Sequence, residues 1–142
     1  MSNSGWVIDT DVVSETAKQI PHPGVLAWLA ELAVISLSSV TVYELARGVT
    51  RLARGRRRQF LEAWLAALVE GADILPFARE EALIGARVEA EARRQGRSID
   101  THDLFILATA RARGLTVVTR NLDHFVDFGV PVFNPFTGEM SG

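Results

Sequence analysis

Short apolar runs of strand length alternate with helical stretches along this chain, and that alternation limits the fold more than any other feature. Trp6-Val7-Ile8 runs into Asp9 and reads as a buried strand. Val34–Leu37, Asp73-Ile74-Leu75, Thr116-Val117-Val118-Thr119 and Val130–Phe133 read the same way. Between them apolar residues recur at helical spacing. The pattern predicts a short helix over Val12–Lys18 and further helices over Gly24–Leu32, Thr41–Leu52 and Arg56–Glu70. A long helix from Glu80 to Arg94 closes at Gly96, and another over Asp103–Arg113 closes at Gly114. Ser38 and Ser39 stand where an N-cap is needed. Strands separated by helices require crossover connections, so the expected fold is α/β: a central parallel sheet of four to five short strands with helices on both faces. Ligands of such sheets sit beyond the carboxyl ends of the strands, where Asp9 and Thr119-Arg120-Asn121 fall.

At 142 residues and 48% hydrophobic, the chain suits one domain, 1–142, with the first four or five residues as an extension. Cysteine is absent, which removes disulfides, thiolate zinc sites and cysteine nucleophiles together. Lys18 is the only lysine among 15 basic residues, so lysine chemistry is nearly gone as well. No signal peptide opens the chain and no apolar stretch reaches the ~20 residues a membrane span needs, so a soluble, cytoplasmic protein is expected. A net charge of −2 argues against coating nucleic acid by bulk positive potential. The positive charge is instead local. Arg47, Arg51, Arg54, Arg56, Arg57 and Arg58 run together with no acid between Glu44 and Glu62. That run is either a solvated helix–helix junction or a phosphate-binding or docking edge.

Three segments place a carboxylate beside apolar sequence: Ile8–Val12, Thr41–Leu45 and Asp100–Leu104. Asp9, directly after a buried run, needs a partner, and capping the next helix is its plainer account. Glu44 shares a helical face with Thr41, Gly48 and Arg51, away from the apolar stripe, and alone reads as solvated. Asp100 as N-cap with Asp103 three residues on would favour a helix start. Together the acids say more. Carboxylates converging within about 4 Å repel by roughly 4 kcal/mol per pair at an effective dielectric of 20, and a hard cation relieves that repulsion. Mg²⁺, or Mn²⁺, held by oxygen ligands orients a phosphodiester and generates hydroxide without any side-chain nucleophile. Histidines 22, 102 and 124 lack metal-binding spacing, although His102 and His124 are candidates for touching substrate. Tyr43, Phe60 and Trp64 fall at core spacing on their helices, or else pack a dimer or partner helix.

These residues resemble a family, the PIN-domain ribonucleases of the VapC/FitB toxin type. The resemblance rests on Val7-Ile8-Asp9-Thr10-Asp11-Val12-Val13-Ser14-Glu15, on Leu37–Leu45 through Gly48, and on Asp103-Leu104-Phe105-Ile106-Leu107-Ala108-Thr109-Ala110. Val118-Thr119-Arg120-Asn121 and Pro131–Phe136 complete it, in order over essentially the whole chain. It implies a three-layer α/β/α PIN domain and a Mg²⁺-dependent endoribonuclease, the toxin of a toxin–antitoxin pair. It also implies a homodimer and a VapB-type antitoxin whose C-terminal segment covers the site. The catalytic set it implies is Asp9, Glu44, Asp103 and Asn121, with Asp9, Glu44 and Asp103 as metal ligands. Asn121 stands at the family's fourth acidic position, which leaves Asp123 as its substitute, while Asp100 adds a further acid near the site, as a support to the ligands or only a helix cap. Thr10 and Thr119 would orient the ligands, and Arg47, Arg51, Arg54 and Arg120 would contact RNA or antitoxin. Two rivals are a catalytically silent PIN scaffold that only binds RNA or protein, and a haloacid-dehalogenase-like phosphatase suggested by Asp9-Thr10-Asp11. The latter needs a distant lysine, and Lys18 is too near.

Overall fold

β-branched residues buried on both faces build the centre of the sheet. In the computed structural model, which describes residues 5–142, Trp6–Ile8 (β1) pairs in parallel with Thr116–Val118 (β4). β4 in turn pairs in parallel with Val132–Phe133 (β5), and the edge is closed by antiparallel Met140–Ser141 (β6). Ser36–Ser38 (β2) and Asp73–Leu75 (β3) form a second parallel pair, which packs beside β1. The extension expected over the first four residues lies outside the described residues.

Alternation along the strands sends successive side chains to opposite faces. Val7 and Val117 join one buried cluster with Leu104, Leu107, Phe125 and Phe128, while Ile8 and Val118 join another with Val12, Val25 and Leu37. Each such fully buried side chain contributes about 1.5–3 kcal/mol. The first face is covered by the helices Arg79–Arg94 (α5) and Thr101–Arg113 (α6) and the short turn of helix Leu122–Phe125 (α7). The second is covered by Thr10–Val13 (α1), Pro23–Ala30 (α2), Ser39–Thr50 (α3) and Arg56–Gly71 (α4). The result is the expected three layers.

Local chemistry sets the helix ends. Ser38 caps α3 by accepting the Val40 N–H, and Asp100 caps α6 by accepting the His102 N–H. Gly114 adopts a left-handed conformation (φ 66°) that terminates α6 and turns the chain into β4. Between α5 and α6, Arg111 donates to both oxygens of Glu91 at 2.8 and 2.9 Å and also to the Phe128 carbonyl.

Several expectations need correction. The helix predicted over 12–18 starts earlier, at Thr10, because Asp9 caps it, and it tightens to a 3₁₀ turn over Ser14–Ala17. The strand expected over 34–37 slips to 36–38, leaving Val34 exposed. Tyr43 and Phe60 are not core residues: they are 63% and 55% exposed, since their helices touch the sheet with only one face. β6 was unmarked in sequence. No described helix is long and apolar enough to cross a membrane.

Candidate active site

Asp9 is delivered to the carboxyl end of β1 by the strand itself and is almost fully buried, with 6% of its surface exposed. Burying a carboxylate demands donors, and it has them. Its Oδ1 accepts the Thr10 N–H at 2.8 Å and its Oδ2 accepts the hydroxyl of Thr119, the residue after β4, at 2.9 Å. The adjacent carboxyl ends of β1 and β4 therefore place Thr119 beside Asp9.

His102, in the first turn of α6, occupies the middle of the group. Its Nε2 lies 3.3 Å from Asp9 Oδ1 and 3.3 Å from Thr10 Oγ1. Its Nδ1 lies 2.9 Å from Glu44 Oε1, a charge contact without hydrogen-bond alignment. Burial works against a charged imidazole. The hydrogen bond to Asp9 and the charges of Glu44, Asp9 and Asp103 outweigh it and hold His102 above its usual value. Glu44 thus faces inward. The face it shares with Thr41, read in sequence as solvated, is turned toward the site, where Thr41 is fully buried.

Asp103, one residue on from His102, is also partly buried, and its Oδ2 meets His124 Nδ1 of α7 at 3.1 Å. Burial raises its carboxyl above the ordinary range, and the charges of Asp9 and Asp100 add to the shift. Asp11 is pushed up further, from 3.8 to about 6, by burial and then by Asp9. Its Oδ2 accepts the Arg120 N–H at 3.2 Å, while its Oδ1 has no partner. Burial dominates both shifts, and the neighbouring carboxylate charge of Asp9 adds to each.

Asn121 stands at the rim, with its amide 3.5 Å from Asp11 and its N–H donated to Thr119 Oγ1. Asp123, Asp100, Asp103 and His124 line one cleft of about 320 Å³ with Arg97, which anchors the segment by donating to the Asp123 and Val126 carbonyls. Arg120 is exposed and lies over the Phe136 ring at 4.4 Å.

The arginine run is less uniform than its sequence. Arg47, Arg51 and Arg54 are exposed, but Arg54 lines a small separate cleft with Arg58 and Glu62, remote in lining from the acids. Arg57 instead borders a groove that also reaches Glu44. Lys18 pairs with Glu15, so it serves no phosphatase role at Asp9.

Local spacing could not reveal the histidines. His102 meets Asp9 across 93 residues and His124 meets Asp103 across 21, both through tertiary placement of helix ends. Among the described residues no three acids and histidines are already arranged as an ion cage. The donor chemistry nonetheless fits a hard cation: oxygen ligands, mutual repulsion, and a buried unpartnered oxygen on Asp11.

Comparison with known proteins gives the lineage of this arrangement. The PIN domain family matches residues 6–130. The chain is 38% identical to the Toxin FitB of Neisseria gonorrhoeae over 136 residues, 92% of this chain and 97% of that protein. It is 35% identical to the VapC ribonuclease Y4jK of Sinorhizobium fredii over 135 residues, 92% and 96% of the two chains. The crystal structure of FitAcB from Neisseria gonorrhoeae superposes with a TM-score of 0.86 at 36% identity, covering 92% of this chain and 98% of that one.

Proposed function

Since the chain belongs to the PIN domain family, we propose that it is the ribonuclease toxin of a toxin–antitoxin pair, hydrolysing RNA phosphodiester bonds. The observation that carries this reading is the gathering of Asp9, Glu44 and Asp103 around His102 at the carboxyl end of the sheet. Relatives named as a ribonuclease and as a tRNA(fMet)-specific endonuclease support the reaction class. A solved member of the VapBC family of toxin-antitoxin systems, of similar fold, supports the antitoxin partner. Residues 1–142 act as one domain in this reading, working in the cytoplasm as a homodimer.

Asp9, Glu44 and Asp103 are the residues to hold a divalent cation, Mg²⁺ or Mn²⁺, with Asp123 and Asp100 at the margin. When bound, such an ion acidifies water and neutralises charge at phosphorus. The protein's own contribution is positional. Thr119 and the Thr10 N–H lock Asp9 in one orientation. Asn121 is tied to Thr119 and Asp11, so its side chain completes the rim as an amide, not as an anion. His102, held above its usual pKa, balances the charges of Asp9 and Glu44. Arg120, steadied on Phe136, faces the phosphate backbone, and Arg47, Arg51 and Arg54 supply positive charge for RNA or the antitoxin.

The test is cleavage of total RNA by purified protein, with Mg²⁺ or with chelator, for the native chain and for Asp9→Asn and Asp103→Asn. Cleavage that needs the cation and disappears in both variants, with the fold retained by circular dichroism, is expected. RNA left intact by the native chain with Mg²⁺ would instead make it a silent binding scaffold. Cleavage surviving both substitutions would remove the carboxylates from the chemistry.

A further inference from the structure

We infer that Phe136 is a positioning residue of the cleavage reaction: the C-terminal turn sets its ring as a shelf that fixes the Arg120 guanidinium where a substrate phosphate docks. This rests on the ribonuclease reading above. The turn, residues 134–138, joins β5 to β6 and is folded on one side chain. Asn134 is 5% exposed, and its Oδ1 accepts the Phe136 N–H at 2.8 Å. Its own carbonyl accepts the Gly138 N–H at 2.7 Å, and Gly138 takes the left-handed φ of 84° that returns the chain to β6. The amide of the same Asn134 donates to the Arg120 carbonyl at 3.2 Å. One buried side chain therefore sets both the Phe136 ring and the Arg120 backbone. The Arg120 N–H is held in turn by Asp11 Oδ2, at 3.2 Å. His22 braces the ring, meeting it at 5.1 Å and 65°, and is itself fixed because its Nδ1 accepts the Gly24 and Val25 N–H groups.

An exposed arginine ordinarily samples many rotamers, and this one is confined. Its guanidinium carbon lies 4.4 Å from the centre of the Phe136 ring. Its N–H groups nevertheless have no acceptor among the described residues, whereas Arg58, Arg93, Arg111 and Arg113 have carboxylate partners. A guanidinium held over a ring with its donors free is a receptor for an oxyanion that can accept two hydrogen bonds, and RNA presents that group as phosphate. Arg120 shares a cleft of about 380 Å³ with Asn121, Asp123 and His124, and the last two also line the cleft of Asp103. The docked phosphate is therefore a neighbour of the one that is cleaved. Anchoring it in advance removes an ordering step from the reaction, and a small misplacement of such an anchor slows chemistry at a distance. An aliphatic side chain could fill the space of Phe136 but has no π face to hold the cation.

The experiment measures initial rates of total-RNA cleavage, at limiting RNA with Mg²⁺, for the full-length native chain, Arg120→Ala, Phe136→Leu, Phe136→Tyr and the Arg120→Ala/Phe136→Leu pair. Phe136→Leu is expected to slow cleavage by about 2- to 30-fold, the change that corresponds to one lost cation–ring contact. Phe136→Tyr keeps the π face and should cut at the native rate. Once Arg120 is alanine, Phe136→Leu should cause no further loss, whereas a merely structural ring would slow both backgrounds by the same factor. Arg120→Lys leaves the turn untouched but lacks the planar fork, and should lose as much as Phe136→Leu. It keeps the test decisive if Phe136→Leu lowers the Tm. Binding is read separately, by anisotropy of labelled oligouridylate across a salt series, on chains that also carry Asp9→Asn. There Arg120→Ala should flatten the slope of log affinity against log salt by about 0.7, the value for one phosphate of a single strand. A native rate in Phe136→Leu or in Arg120→Lys, equal factors in the two backgrounds, or an unchanged salt slope in Arg120→Ala would each overturn the inference. RNA left intact by the native chain would sink the ribonuclease reading itself, a separate result from a Phe136 variant that cuts at the native rate.

Discussion

Replacing Asp11 by asparagine should make this protein more stable at neutral pH. Asp11 titrates near 6 in the folded chain against 3.8 when free, because burial and the Asp9 charge oppose its ionised form. The folded state therefore binds the proton more tightly than the unfolded state between those values. Stability falls as pH rises through the window, and above about 6 the full penalty is present. A shift of about two pH units corresponds to about 3 kcal/mol, and partial exposure reduces this to about 1–2 kcal/mol. Asparagine keeps an oxygen to accept the Arg120 N–H, so the substitution removes the charge while preserving that contact. Urea unfolding followed by tryptophan fluorescence, in chelator, measures the difference across the pH range. The two proteins should be equally stable below about pH 4, diverge to about pH 6, and differ by a constant amount above it. Added Mg²⁺ should then stabilise the native chain more than the variant. An Asp11→Asn chain less stable at neutral pH, or a gap unchanged over the window, would refute the electrostatic account.

Two further outcomes follow from the same bookkeeping. Thr119→Val removes the hydroxyl that donates to Asp9 Oδ2 and accepts the Asn121 N–H, and should lower stability by about 1–3 kcal/mol, read as a reduced Tm, with Thr119→Ser restoring it. Arg111 holds the Glu91 carboxyl below its usual range through hydrogen bonds and charge. Its stabilisation is complete above the unfolded carboxylate value of 4.5 and fades as pH falls through the lowered one. Arg111→Met should therefore cost about 1–3 kcal/mol at neutral pH and flatten the acid limb of the stability curve, measured by urea midpoints.

Period and capping made most of the architecture readable in advance. The triplets at Trp6, Asp73 and Thr116 became strands with their expected bounds, or one residue short, and Ser38 and Asp100 capped helices as their chemistry suggests. The acids of the site were visible because each lies next to an apolar run. What sequence could not convey was direction. Glu44 looked solvated since its face carries few apolar residues, yet α3 packs against β2 and α6 with Thr41 buried and sets Glu44 beside His102. His102 and His124 carried no motif because their partners come from other elements. Tyr43 and Phe60 fit a core period, but α3 and α4 lie at the outer edge, where one flank of each helix has nothing to pack on.

The chain order of the site has a consequence for synthesis. Asp9 waits for Thr119, which follows it by 110 residues, and β1 has no ladder partner until β4 has been made. A ribosome has already strung together Asp9, Glu44, His102 and Asp103 before either arrives. The growing polypeptide thus carries every acid of the centre while lacking the strand that would align them. Assembly of the sheet and arming of the nuclease become one late event, so truncated products keep the acids without their alignment.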